Sequence, residues 1–186
     1  AAKIGVQVGL LRGVVDAVHG YGGVVFHDIA NVRHARKAAD AGVDGLILVA
    51  GGAGGHAGVV HPFALVEEVR SFFDGTILLS GCISNGRDIA AARMLGADFA
   101  YMGTRFIATA ESQAQAEYKQ MVVDSGSGDI TYTPAVSGIP ANFMTKSLIE
   151  MHHGEMQMQS EPGTGTTVSF TVPVRRPLDT VQVEAA

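Results

Sequence analysis

Between residues 22 and 108 the chain alternates short, fully apolar runs with stretches that have one apolar face. "GGVVFHD" reads as a buried strand, and "NVRHARKAADAGVD" reads as a helix ending at an Ala-Gly stop. "GLILVAGG" is a second strand, followed by the helix "HPFALVEEVRSFFDG", with Pro near its start and Gly after its end. "TILLSGCIS" is a third strand, "NGRDIAAARMLGAD" a third helix, and "FAYMGTRFIAT" a fourth strand. Strands apolar on both faces belong to parallel sheets covered by helices. Strand starts recur about every 20–30 residues, the period of βα units. The fold class expected from this rhythm is α/β, about four βα units with parallel strands and helices packed outside the sheet.

Beyond residue 109 the texture changes twice. "AESQAQAEYKQMVVDSGSGDITYTPAVSGIPANFMTK" opens as an amphipathic helix and becomes punctuated by Gly and Pro. "EMQMQSEPGTGTTVSFTVPV" alternates polar and apolar residues on both sides of "PGTG", which predicts a β-hairpin with one wet face. The expected division is residues 1–109 for the βα units, 110–148 for a helix and small-domain segment, 149–174 for the hairpin and 175–186 for a tail.

Composition narrows the class. Hydrophobic residues make up 47% and charged residues 17%, which is globular and neither disordered nor membrane-like. The longest apolar runs fall far short of a bilayer span. No stretch has the order of a secretory signal, although residue 1 is Ala rather than Met. A net charge of −5 without a basic stripe argues against nucleic acid or anionic lipid as partner. The single cysteine, Cys82, excludes an internal disulfide and suits a cytoplasmic location; its plainest reading is a small apolar residue at a strand end.

Function in such sheets sits at the C-terminal ends of the strands. Four of those ends carry His27-Asp28, the cluster "GGAGGHAG" around His56, Ser80-Gly81 and Gly103-Thr104-Arg105. Glycines at adjacent strand ends expose backbone N–H groups, and Thr104 adds a hydroxyl. With the helix start Asn85-Gly86-Arg87 beside them they form a candidate site for a phosphate dianion; the alternative is that these glycines only end strands. Dense glycine before His56 lets the backbone pass close to a flat ring, and a histidine so presented can serve as a base near neutral pH. Of His27 and Asp28, one is expected to face the barrel mouth and the other to cap the next helix. His152-His153 have no supporting Cys or carboxylate cluster, so no metal site is assigned. His19, His34 and His61 read as surface residues.

Three segments in order, "GVDGLILVAGGAGGHAG", "ILLSGCISNGRDIAAARMLGADFAYMGTRFIATAES" and "YKQMVVDSGSGDITYTPAVSGIPANFM", resemble nitronate monooxygenases over about residues 5–148. The resemblance implies a (βα)8 barrel that holds FMN, with a small extra domain. It implies that His56 is the catalytic base that takes the α-proton of a nitroalkane, or that it lies over the flavin. It places Gly54 and Gly55 along the flavin, Ser80, Gly81 and Cys82 at the FMN phosphate, and Gly103 and Thr104 completing that site. The chemistry implied is oxidation of an alkyl nitronate by O2 to a carbonyl compound and nitrite. Two positions depart from the family pattern: Ala53 replaces an acidic residue or Gln, and Cys82 stands where a second glycine is common. A full barrel takes about 250 residues, and the matching region corresponds to its later strands. Such a partial barrel leaves two sheet edges open, so a homo-oligomer that completes the barrel, or poor solubility as a monomer, is expected.

Residues 147–174 are similar to the end of a sensor histidine kinase ATP-binding domain, with Gly163, Gly165 and Thr166 matching its terminal motif and His153 departing from a glycine. Three readings stay open: the FMN enzyme acting on nitronates, an FMN-dependent enoyl-acyl-carrier-protein reductase, and a non-catalytic chimera or scaffold.

Overall fold

A computed structural model describes residues 8–151, 155–161 and 165–171. The chain runs α1 (Val8–His19), β1 (Phe26–Ile29), α2 (Val32–Asp40), β2 (Gly45–Val49), β3 (Gly55–His56), α3 (Pro62–Arg70), β4 (Thr76–Ser80), α4 (Gly86–Met94) and β5 (Phe99–Tyr101). It continues through α5 (Thr104–Ile107), α6 (Ala116–Asp124), a 3-10 turn at Ser127–Asp129, β6 (Ile130–Thr133), β7 (Ala141–Met144), α7 (Thr145–Met151), β8 (Glu155–Glu161) and β9 (Gly165–Thr171). Two compact units result. One runs up to Ser125 and includes Tyr132–Asn142; the other holds Gly126–Thr131 and the residues from Phe143 onward.

The first unit is the partial barrel. β1, β2, β4 and β5 form one parallel sheet in the order β1-β2-β4-β5, each strand followed by a helix, with β3 interposed between β2 and α3. Its register fixes the faces, because side chains alternate along each strand. The row Ile29, Leu48, Leu79 is almost fully buried, as are Leu46 and Ile77 in the row before it. These side chains join Ala35 and Ala38 of α2, Leu65, Val66 and Val69 of α3, and Ala92 of α4 in one core. The intervening row, Asp28, Ile47, Leu78, Phe99, lies on the opposite face, with Phe99 and Asp28 exposed.

A repeated device anchors the strands at the end away from the site. After α2 and again after α4 the chain turns through a left-handed glycine, Gly42 (φ 89°) and Gly96 (φ 103°). At each, the glycine N–H and the next N–H donate back to carbonyls of the last helical turn. An aspartate follows two residues on. Asp44 accepts from the Val25 N–H at 2.7 Å and from the His19 ring at 2.8 Å. Asp98 accepts from the Ile77 N–H at 2.8 Å and from Arg70 at 2.5 Å, while the same guanidinium donates to Gly96 O and Gly75 O. These bonds hold both carboxyls below the usual carboxylate range: the His19 hydrogen bond is foremost for Asp44, the Ile77 amide for Asp98.

Two details differ from the sequence reading. "TRFI" in the expected fourth strand is the short helix α5, since β5 ends at Tyr101 and the Phe106 N–H closes a turn onto Gly103 O. The cap of α2 is neither His27 nor Asp28 but Asn31, whose side chain accepts from the His34 N–H at 2.9 Å. Asp28 takes the exposed face and His27 the row shared with Leu46.

In the second unit Thr131 and Thr145 share a 2.8 Å hydroxyl contact, and Thr145 also donates to Asp129 O. β8 and β9 form the expected hairpin, antiparallel from Glu155 opposite Thr171 to Glu161 opposite Gly165. His152, His153, Gly163 and the tail at 175–186 lie outside the described residues. Among the described residues, no helix is long and apolar enough to cross a membrane.

Candidate active site

The strand-end segments converge on the glycine cluster that follows β2. Gly52 has φ 87°, and a Cβ there would collide with the Cys82 sulfur of the loop after β4. The Cys82 N–H donates to Gly52 O at 3.3 Å, closing the contact. A Cβ on Gly54 would lie 2.5 Å from Thr104 Oγ1, at the start of α5. The cluster is glycine-rich first because its neighbours are close, a reason the sequence reading did not contain. Gly55 and Gly103 have no atom within 4 Å of where a side chain would begin, and both lie open on this end of the sheet. Those are the positions where a ligand can approach the backbone.

Cys82 itself has φ 54°, the one described residue other than glycine in the left-handed region. L residues with a side chain pay about 1–2 kcal/mol there. A glycine would adopt this conformation without that cost.

Ser80 lies on the same face as Val49 and Tyr101, in register with both. Its hydroxyl and the Gly103-Thr104 segment supply uncharged donors at two adjacent strand ends. The α4 start contributes less than its sequence suggested. Asn85 Oδ1 accepts from the Arg87 and Asp88 N–H groups, and Asp88 Oδ2 accepts from Ser84 and Asn85. Four amides that a phosphate would need are thus held by the chain's own capping box. Ser80, Gly81, Gly103 and Thr104, the other residues expected at such a site, stand outside this capping box.

His56 occupies β3, a two-residue strand paired antiparallel with β7: Gly55 faces Asn142, and His56 faces Ala141. Within the same sheet β6 lies beyond β7. The His56 Nε2 is 3.0 Å from Ser137 Oγ. Ser137 Oγ also donates to Ile139 O at 3.2 Å. A serine hydroxyl has one proton to give, so toward His56 it accepts. Nε2 then carries the ring hydrogen and Nδ1 the lone pair. Asn142 Nδ2 donates to Ala53 O at 2.8 Å, and Tyr132 Oη donates to Ala57 O at 3.1 Å, gripping the loop on both sides of His56.

Sequence reasoning missed these three residues. They lie in the Gly/Pro-punctuated segment, 75 to 89 residues from their partners, where no local period links them. Among the described residues no group of His, Cys, Asp and Glu could hold a metal ion.

The nitronate monooxygenase family model matches residues 4–176, nearly the whole chain. The chain belongs to the nitronate monooxygenase family. It is 34% identical over 138 residues to (3aS,4S,5R,7aS)-5-hydroxy-7a-methyl-1-oxo-octahydro-1H-indene-4-carboxyl-CoA dehydrogenase of Rhodococcus jostii (strain RHA1), covering 73% of this chain and 39% of that one. It is 32% identical over 143 residues to the nitronate monooxygenase of Paraburkholderia phytofirmans (strain DSM 17436 / LMG 22146 / PsJN), covering 72% of this chain and 38% of that one. The solved structure of FabK from Thermotoga maritima superposes with a TM-score of 0.66 at 33% identity, over 76% of this chain and 47% of the other. The chain therefore spans less than half the length of these relatives.

Proposed function

We propose that this chain carries the base and the phosphate-end contacts of an FMN enzyme that oxidises alkyl nitronates with O2, giving a carbonyl compound and nitrite. The observation that carries the reading is His56, fixed by Ser137 at an open strand end beside the Gly54-Thr104 contact, in a chain of the nitronate monooxygenase family. The residues fit the cofactor's polar end. Gly103 looks onto open space, so its backbone and the Thr104 hydroxyl are approachable, and Ser80 adds a second hydroxyl one strand away. Gly81 and Cys82 complete the turn, and Gly54 and Gly55 lie along the approach to His56. FMN, when bound, supplies the electron acceptance from the nitronate and the reaction with O2.

The chain's own residues then have simple tasks. His56 Nδ1 takes the α-proton of a nitroalkane and so delivers the nitronate anion. Ser137 keeps the ring in the tautomer that leaves Nδ1 basic. Asn142 and Tyr132 hold the loop at Ala53 and Ala57, before and after His56 in sequence, which fixes the ring's position.

The test is direct. Purified protein titrated with FMN is expected to retain flavin absorbance after desalting and to release nitrite from a nitronate in air. His56→Ala is expected to keep the flavin and lose the rate on a nitroalkane. Protein that holds no FMN sinks the reading.

The likeness to a carboxyl-CoA dehydrogenase favours a second reading, a flavin enzyme acting on an acyl thioester such as an enoyl-acyl-carrier-protein reductase. Reduced nicotinamide separates the two. Oxidation of NADH or NADPH that depends on an enoyl thioester supports the reductase, and nitrite release without nicotinamide supports the first reading. The free thiol of Cys82 suits a reducing cytoplasm in either case.

A further inference from the structure

The chain leaves β5 through a ladder of three-residue turns. The Phe106 N–H donates to Gly103 O at 2.9 Å, the Thr109 N–H to Phe106 O at 3.3 Å, and the Ser112 N–H to Thr109 O at 3.4 Å. Bonds of this spacing have poorer geometry than those of an α-helix, and here they lengthen away from Gly103. α5 accounts for only four residues of the ladder, and its first turn has no side-chain cap. Turns so short are marginal in water without support from outside.

Two side chains give that support. Thr109 Oγ1 donates to Phe106 O at 2.9 Å, doubling the middle rung. Lys119, on α6, donates from Nζ to Thr109 O and to Ser112 O, each at 2.8 Å. Both acceptors belong to the part of the ladder whose rungs are longest. A lysine ammonium is ordinarily a hydrated charge on a flexible stem. Fixing it on two carbonyls costs side-chain entropy, which charge-assisted bonds of this length offset. The bonds run in sequence from Lys119 to Thr109, from Thr109 to Phe106 and from Phe106 to Gly103. The next residue is Thr104, whose Oγ1 is also the atom that a Cβ on Gly54 would meet.

We propose that Lys119 is a positioning residue for the phosphate end of the cofactor site. By clamping the far end of the ladder it fixes where Gly103 and Thr104 stand after β5. It acts through the turns and does not touch the ligand. The inference rests on the FMN reading and adds to it a residue outside the strand ends.

Fluorescence titrations with FMN and with riboflavin, which lacks the phosphate, test it. Lys119→Met is expected to weaken FMN binding about 10-fold and to leave riboflavin binding within about 2-fold of wild type. Thr109→Val keeps the lysine charge and removes the doubled rung. It is expected to share the selective loss of FMN, at about 3-fold, and Thr109→Ser is expected to bind as wild type does. Should Lys119→Met fail to fold, the two Thr109 variants decide with the same ligands. Equal losses of FMN and riboflavin would make Lys119 a support of folding alone and overturn the proposal. So would a loss in Lys119→Met that Thr109→Val does not share, because the lysine charge would then act on the phosphate directly. Either result leaves the FMN reading standing. A wild-type chain that takes up neither flavin overturns that reading and this inference with it.

Discussion

His56 and Ser137, 81 residues apart in sequence, meet at 3.0 Å, and a serine hydroxyl that gives its proton to Ile139 O, 3.2 Å away, leaves Nδ1 as the basic ring nitrogen. Ser137→Ala removes that decision without touching the ring. On a nitroalkane, which must lose its α-proton, the rate is expected to fall about 10-fold or more. On a nitronate supplied already ionised, the rate is expected to stay near wild type. Ser137→Thr, which keeps the hydroxyl, is expected to recover most of the loss. Nitrogen chemical shifts of the His56 ring give an independent readout: a population shift between tautomers in Ser137→Ala, none in Ser137→Thr. Equal losses on both substrates would make Ser137 merely structural.

Cys82 pairs a strained backbone with a tight contact on Gly52. Cys82→Gly relieves the left-handed conformation but makes the unfolded chain more flexible, an opposing effect of about 0.5–1 kcal/mol. The expected outcome is a urea midpoint unchanged or raised by the equivalent of at most about 1 kcal/mol. Cys82→Val, β-branched at φ 54°, is expected to cost about 1–3 kcal/mol. Equal effects of Gly and Val would show that the backbone at Cys82 is not left-handed.

The contrast between these two sites shows what the chain makes legible. β2 and β4 could be read because "GLILV" and "TILLS" are apolar runs bounded by Gly, Asp and Ser. The α4 start could be read from Asn85-Gly86-Arg87, yet Asp88 at capping-box spacing means that its amides are already occupied. "TRFI" misled because Phe and Ile favour strands while the chain there must turn away from the sheet end. His56 stood out by its glycines. Its partners did not, since β3 is two residues long and pairs with β7 across more than 80 positions, where no periodicity carries information. The glycines were legible as a cluster. Their cause, contact with Cys82 and Thr104, was not, because it needs the loops side by side.

The Gly54–Thr104 approach can be measured as a coupling. Gly54→Ala places a methyl 2.5 Å from Thr104 Oγ1, which must rotate or shift, at a cost of about 1 kcal/mol. Thr104 Cβ lies 3.9 Å from the same point, an ordinary contact. In a Thr104→Ala background, Gly54→Ala is therefore expected to cost markedly less. A double-mutant cycle by urea denaturation should return a coupling of about 0.5–1 kcal/mol. Strict additivity would place the two loops farther apart than described.

The paired aspartates set the response to acid. Asp98 is depressed first by the Ile77 N–H and then by Arg70; Asp44 first by the His19 ring and then by the Val25 N–H. A carboxyl whose folded pKa lies below its unfolded value near 3.9 stabilises fully above that value. The contribution is lost as pH falls through the folded pKa, where both states carry the proton. Stability is therefore expected to decline from about pH 4 downward. Asp98→Asn loses the charge-assisted contacts to Ile77 N–H and Arg70, so its urea midpoint should lie below wild type at pH 7, with the gap closing as pH falls below about 4. Asp44→Asn should behave alike, since the same Gly-x-Asp turn places it. A gap that stayed constant from pH 7 to 2 would mean that packing around these turns, not the ionised carboxylates, anchors the strands.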